Sequence, residues 1–303
     1  MQQIKGFAKP ATAADLRSAL PTRKAYSDKF SNGMVVVIGG SADYHGAPAL
    51  AASSAFNALS ALRIGAGYAV VLVPRRIADA VRNTTNNLIV EPLGDSNIGE
   101  GQLLRAFSRI QKADAVVLGN GIGRSTDAFD GARTIVRYCT QAEKKLVLDA
   151  EGIRALDGKI NTLGSRVIIT PHDDEFLNIS GKKPDQKNTA KRLKSASELA
   201  RKLGCTVLLK GHVTIVTDGK RAKLVKSKSA ALATMGTGDV LAGMIGGFAA
   251  TGCECFEAGV AAAYLHSKIG DTLHKKSGDH IIASDVVDYI PKVLKKTVRG
   301  EIA

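Results

Sequence analysis

Asp239 stands where a glycine-rich turn, Gly236-Thr237-Gly238, runs into an apolar segment. Glycine backbone can approach a ligand closely, and a helix that starts there offers N–H groups with no intrahelical acceptor, which is the chemistry of anion binding. A carboxylate at the rim of such a turn can act as a general base. Val240, Leu241, Met244, Ile245 and Phe248 recur at spacings of three and four, so a helix is expected to follow, and the glycines at 243, 246 and 247 predict that it packs closely. By itself the motif has a second meaning, because Thr or Asp at a helix start commonly caps backbone donors and complements the helix dipole.

Four further segments carry chemistry-bearing residues just after β-branched runs. Gly39-Gly40-Ser41 continues through Asp43, Tyr44 and His45 to Gly46-Ala47-Pro48, a turn in which Pro48 suits a first helical turn and Gly46 and Ala47 can line a pocket. Gly119-Asn120-Gly121-Ile122-Gly123-Arg124-Ser125 can admit a ligand's ring or phosphate to its backbone; its spacing, G-x-G-x-G with no suitable acid about twenty residues on, is not that of a dinucleotide fingerprint. Thr170-Pro171-His172-Asp173-Asp174-Glu175-Phe176 gathers one His and three carboxylates in a turn entering a helix. There His172 can hydrogen-bond a polar substrate and Glu175 can organise a hydrated magnesium ion, or the acids are dipole partners. Lys210-Gly211-His212-Val213-Thr214 ends a strand with a cation, suited to phosphate or ribose contact or to reaching solvent.

The elements that must position these residues alternate. Met34 to Ile38, Tyr68 to Val73, Ala115 to Leu118, Leu146 to Asp149, Val167 to Thr170 and Thr206 to Lys210 read as strands with helical segments between them. Such alternation predicts an α/β fold with a mostly parallel sheet, and continuously apolar strands predict helices on both faces. Val213 to Thr217 and Ala222 to Val225 read as a hairpin forming a small antiparallel edge. Residues 1–30 are expected to form a leader that packs over the core or stays loose, residues 31–303 to form one domain, and the last dozen residues to fray as a basic helix end.

Composition narrows the function classes. The chain has 303 residues, 45% of them hydrophobic, with no apolar stretch of membrane-spanning length and no signal-peptide core, so a cytoplasmic, non-membrane protein is expected. Cys139, Cys205, Cys253 and Cys255 are too few and too unevenly spaced for a disulfide framework, and the Cys253-x-Cys255 pair has no second ligand pair to complete a zinc site. The net charge is +14, and residues 182–228 hold fourteen Lys and Arg against Asp185, Glu198 and Asp218. That stretch has no aromatic residue for base stacking, which argues against nucleic acid and for a polyanionic small molecule. A solvated helix face through Lys191, Arg192, Lys194, Arg201 and Lys202 is the alternative.

Taken in order, Ile38-Gly39-Gly40-Ser41 with Tyr44 to Pro48, Gly65-Ala66-Gly67, Gly119 to Ser125, Leu148-Asp149-Ala150, Thr170-Pro171-His172, Lys210-Gly211 and Gly236-Thr237-Gly238-Asp239 resemble the ADP-dependent NAD(P)H-hydrate dehydratases of the ribokinase-like superfamily. The likeness extends from about residue 20 onward. It implies a three-layer ribokinase-like sandwich and contact of Ala47, Gly121, His172 and Asp239 with hydrated NADH or NADPH. It implies contact of Lys210, Gly211, His212, Val213, Thr214 and Gly238 with the adenine nucleotide, ADP or ATP, together with Mg2+. By the same resemblance, Asp239 is the base on the substrate's ring hydroxyl and Gly236, Thr237 and Gly238 form the anion hole. The reaction implied is dehydration of the S-epimer, giving reduced cofactor, AMP and phosphate. A homo-oligomer and a separate NAD(P)H-hydrate epimerase as partner are implied too, since the chain lacks the epimerase domain of many bacterial relatives.

Three departures from the resemblance stand out. Asn120 occupies a position where the family commonly has Pro, and Asp173-Asp174 replaces a frequent Pro-Gly; neither change removes a chemical group. Ser227 to Met235 differs from the usual Gly-Asn-Pro-Gly segment, with Met235 in place of Gly. The rival readings are an ATP-dependent kinase of a vitamin precursor of the hydroxymethylpyrimidine or hydroxyethylthiazole type, and a non-catalytic nucleotide- or nucleic-acid-binding protein.

Overall fold

The computed structural model describes residues 7–42, 47–96, 98–99 and 103–301, with the backbone alone for 47–52. The elements in chain order are β1 (Ala8–Pro10), α1 (Ala13–Ala19), β2 (Met34–Ile38), α2 (Ala47–Ile64), β3 (Tyr68–Val73), α3 (Arg75–Arg82), β4 (Ile89–Pro92), α4 (Leu103–Lys112), β5 (Ala115–Leu118), α5 (Thr126–Gln141) and β6 (Lys145–Leu148). They continue with α6 (Glu151–Arg154), β7 (Val167–Ile169), α7 (Asp173–Ser180), α8 (Thr189–Leu203), β8 (Thr206–Leu209), β9 (Val213–Thr217), β10 (Ala222–Lys226), α9 (Thr237–Ala250), α10 (Cys255–Ser277) and α11 (Ala283–Val298).

The ten strands among the described residues form one sheet in the order β1-β10-β9-β8-β7-β6-β5-β2-β3-β4. Pairing is parallel except for β8–β9 and β9–β10. The expected antiparallel hairpin is present, and β1 extends the sheet beyond it in parallel, Ala8 opposite Ala222. Strand side chains alternate between two cores, as a period of two requires. Val35, Val37, Val71, Val117 and Val147 join α1, α2, α3, α9, α10 and α11 on one face. Met34, Val36, Ile38, Val116 and Leu118 join α4, α5, α7 and α8 on the other. Both faces being covered explains the uninterrupted apolar strands.

Three expectations are sharpened by the packing. Helix α9 is buried from Val240 to Ala250, so its apolar positions surround the axis instead of forming one stripe. Close packing is realised at Gly243, where a Cβ would lie 2.2 Å from the Asn57 carbonyl oxygen of α2. The N-terminal segment is seated: Leu16 of α1 is fully buried and Asp15 pairs with Lys223 of β10 at 2.7 Å. The basic C-terminal stretch does not fray as expected. Helix α11 persists to Val298 because Val293 and Thr297 are buried against the core. No described helix is long and apolar enough to cross a membrane.

Strands β2, β3 and β4 progress outward on one side, while β5 returns to the other side of β2 and is followed outward by β6, β7 and β8. The order therefore reverses between β2 and β5. In open α/β sheets the crevice for a ligand lies at such a reversal, beyond the carboxyl ends of the strands.

Candidate active site

The loops leaving β5, β6, β7 and β8 each deliver a polar side chain to one cluster. Asp149, just past β6, is 2% exposed and accepts from Thr170 Oγ1 at 2.6 Å, Lys210 Nζ at 2.8 Å and Asn120 Nδ2 at 2.9 Å. These loops approach closely because Gly119 is a glycine: a Cβ there would lie 2.1 Å from the Asp149 carbonyl oxygen. After Asp149 the chain turns at Ala150, whose φ of 49° is a conformation that L residues rarely adopt. Burial opposes the charge on Asp149, but Lys210, Thr170 and Asn120 outweigh it and hold the carboxyl below its ordinary value. For Lys210 too, burial works against the charge, and the carboxylates of Asp149 and Glu175 more than compensate, leaving the ammonium more firmly protonated than usual.

His172 and Glu175 close a capping box at the start of α7. The Asp174 N–H donates to His172 Nδ1 at 3.1 Å, and the His172 N–H donates to Glu175 Oε2 at 2.8 Å. Glu175 is 4% exposed and lies 3.7 Å from Lys210 Nζ; burial raises its carboxyl pKa, with Lys210 pulling the other way and Asp149 adding to the rise. Asp173 pairs with Arg192 at 2.6 Å, and Arg192 also donates to the Lys210 carbonyl at 2.9 Å. Arg192 is thus buried and ties α8 to the strand end carrying Lys210, instead of lying on the solvated face expected for it.

Asp239 sits in the first turn of α9, after Gly236 at φ 89°, a left-handed conformation suited to glycine. The Thr237 N–H donates to the Thr234 carbonyl at 3.3 Å, and the Thr237 hydroxyl closes the preceding turn on the Leu232 and Thr234 carbonyls. Helix geometry then leaves the N–H groups of Gly238 and Asp239 without intrahelical acceptors. The Asp239 carboxyl accepts from Asn120 Nδ2 and bonds with the Ser53 side chain of α2. Burial, reinforced by the negative charge of Asp149, pushes its pKa up to about 6. Lys210 Nζ lies 3.7 Å from where a Gly238 Cβ would stand, so the cation is at the rim of the glycine turn. From α10, the His266 ring hydrogen-bonds the Thr237 backbone; its pKa is pushed down to about 4 by burial, so the ring is neutral.

The cluster therefore unites Asp239, Gly238 and Lys210 with Glu175, while Gly121 is buried beside Asn120. His172 is half exposed at the same α7 terminus. Gly211 and His212 form the exposed turn beyond Lys210, with the His212 carbonyl accepting from the Ser227 N–H, and Val213 and Thr214, partly buried, begin β9. Ala47 opens α2, and Gly46, with the Asp43 to His45 residues before it, lies outside the described residues. The unusual Ser227 to Met235 segment is tied down by Asp271 of α10, which accepts from the Lys228 N–H at 2.9 Å, while Met235 is 83% exposed. Asn120 goes beyond the expectation that this departure removes no chemical group: it adds one, an amide donor to two acids. Asp149, Ser53, Arg192 and His266 were given no role in the site from sequence, although Asp149 stood in the Leu148-Asp149-Ala150 motif. Asp149 alone had a local signal, a carboxylate directly after a strand. Cys253 and Cys255 are free thiols, and the described residues contain no group of three or more His, Cys, Asp and Glu arranged for a metal.

Set against known proteins, the chain is 35% identical over 279 residues to the bifunctional NAD(P)H-hydrate repair enzyme Nnr of Methanothermobacter thermautotrophicus, which covers 91% of the chain and 52% of that relative. The chain thus spans about half the length of that protein. With the ADP-dependent (S)-NAD(P)H-hydrate dehydratase of Nitrosopumilus maritimus it shares 33% identity over 291 residues, covering 95% and 97% of the two chains. The crystal structure of the ADP/ATP-dependent NAD(P)H-hydrate dehydratase from Bacillus subtilis, co-crystallised with ATP and Mg2+, has a similar fold, with a TM-score of 0.79 at 24% identity over 95% of this chain and 98% of that one. The sequence model described as NAD(P)H-hydrate dehydratase matches residues 35–292. By the extent of that match and the identity to these relatives, the chain belongs to the NAD(P)H-hydrate dehydratase family.

Proposed function

We propose that the protein restores NADH and NADPH from their S-hydrates by an ADP-dependent dehydration that releases AMP and phosphate. The reading rests above all on Asp239: a largely buried carboxyl with a pKa of about 6 at the mouth of a glycine turn, with Lys210 beside it. Such a group is ionised at neutral pH yet basic enough to take a proton. Family membership supplies the substrate class.

The hydrate carries a hydroxyl on its reduced nicotinamide ring, a poor leaving group. Asp239 takes the hydroxyl proton as that oxygen attacks the terminal phosphorus of ADP, and the bond to the bridging oxygen breaks to release AMP. The new phosphate ester then departs as phosphate, driven by the ring-nitrogen lone pair, and loss of a ring proton completes the reduced cofactor. The Gly236, Thr237 and Gly238 turn and Lys210 are suited to the charge on the transferring phosphoryl group. Ala47, Gly121 and His172 would line the nicotinamide side, and Lys210 to Thr214 with Gly238 the adenine side.

Magnesium would fit this site only together with the nucleotide, since the described residues hold no ready set of metal ligands. Asp149, Glu175 and Asp239 are three carboxyls around one ammonium, and a nucleotide adds further negative charge. Glu175 Oε2 already accepts from the His172 N–H and faces Lys210, and Oε1 lies 3.3 Å from His172 Nε2, so an ion there would be held by the nucleotide's phosphates and by water, with Glu175 reaching it indirectly. When bound, it would supply neutralisation of phosphate charge.

The test incubates the protein with hydrated NADH or NADPH and either ADP or ATP and follows recovery of reduced-nicotinamide absorbance. Recovery with release of AMP from ADP is the expected result. No recovery with either donor overturns the reading, and phosphorylation of hydroxyethylthiazole in its place would assign a vitamin-precursor kinase.

A further inference from the structure

Asn120 is 2% exposed, and its single amide nitrogen serves two acids from different elements: Asp149 after β6 at 2.9 Å and Asp239 at the start of α9. Ionised carboxylates only accept, so the nitrogen must face them and the amide cannot turn over without setting an oxygen against negative charge. The price of that orientation is visible, because Asn120 Oδ1 is buried with no hydrogen-bond partner among the described residues. The backbone is fixed as well: the Gly40 N–H donates to the Asn120 carbonyl at 2.9 Å, and a Cβ on Gly39 would lie 2.6 Å from that same oxygen. Side chain and backbone are thus both committed to the reversal between β2 and β5.

From this bridge we infer that Asn120 is the positioning residue of the base: its amide fastens the Asp239 carboxyl to the strand ends and sets both its direction and its basicity. This inference rests on Asp239 serving as the base in the proposed dehydration. A proline, the residue common at this position in the resemblance drawn above, has no amide to donate, so the bridge is a property of this chain. Among the described residues, the charged and titratable groups around Asp239 are Asp149 after β6, Lys210 after β8 with Glu175 of α7 behind it, and the neutral His266 of α10 against Thr237. Helix α2 contributes Ser53, and the Ala283 methyl of α11 lies near Gly236. Of these partners, Asn120 and Ser53 are the uncharged donors that favour the ionised carboxyl.

Two measurements test the bridge. The first needs no turnover: the side-chain amide 15N and 1H resonances of Asn120 are followed by NMR from pH 4 to 8 in the wild-type protein and in Asp239→Asn. Resonances that titrate with a midpoint near 6 and stop doing so in Asp239→Asn are expected. Signals indifferent to pH in the wild type would overturn the inference. The second is the pH profile of kcat for Asn120→Ala and Asn120→Asp. Loss of a charge-assisted hydrogen bond should move the acid limb up by about one pH unit in the alanine variant, and further in the aspartate variant, where a third carboxyl is added. At neutral pH the alanine variant should lose about tenfold to a hundredfold in kcat with little change in KM, as misdirection of one group does. A uniform fall across all pH values, with the limb unmoved, would mean a purely structural role and sink the inference. Failure of the wild type to turn over hydrated NADH or NADPH would instead sink the proposed activity, and the NMR titration would still decide on the bridge.

Discussion

At the scale of single residues, the site trades stability for a usable base. Folded Asp239 keeps its proton up to about pH 6, whereas the ordinary value is 3.8. Between those values the folded state binds more protons than the unfolded one, so stability falls as pH rises through this window, and the full penalty is present above it. Asp239→Asn removes the penalty. At pH 7.5 it should raise unfolding free energy by roughly 2 kcal/mol in urea titration while lowering turnover by about a thousandfold, and the gain in stability should vanish near pH 4. Lys210 has the opposite character. Lys210→Met leaves Asp149 and Glu175 buried without their shared cation, for an expected loss of roughly 3 kcal/mol in urea titration; adding Asp149→Asn should recover part of it. Asp239 and Lys210 were both legible in sequence, because a glycine turn or a strand end marks them locally. Asn120 and Arg192 were not: their roles depend on Asp239, 119 positions away, and on Asp173 and the Lys210 carbonyl, none of which local spacing reveals.

At the scale of elements, direction matters as much as chemistry. Helix α9 must deliver Asp239 to the strand ends, and its angle is set where Gly243 rests on the α2 backbone at Asn57. A backbone carbonyl cannot rotate aside as a flexible side chain can. Gly243→Val should therefore lift the helix, costing about 2 kcal/mol by overpacking, and reduce kcat more than it changes nucleotide affinity; calorimetric binding of ADP separates the two. The sequence announced this helix and its tight glycines, but not its complete burial. Apolar spacing of three and four reports one favoured face, and small residues such as Ala242, Gly246 and Ala249 conceal that the opposite face is covered too. The capping box of α7 was not read in advance although His172 and Glu175 are only three positions apart, because His is not among the usual N-cap residues.

At the scale of the whole molecule, six of the parallel strands were readable because each is an unbroken apolar run buried on both faces. Strands β1 and β4 escaped. The first contains Lys9 and Pro10 and the second Glu91 and Pro92, which an outermost strand tolerates because one of its sides needs no partner. Removing residues 1–12 should uncover the β10 edge, lower Tm and promote self-association detectable by light scattering. The register of Ala8 opposite Ala222 also has a temporal meaning. Asp15 and its partner Lys223 are 208 positions apart, so on a ribosome adding about 5–20 residues per second β1 waits about 10–40 s for its place. During that interval β1 is an unclaimed strand, and it joins the sheet before the helix that carries Asp239 has been made.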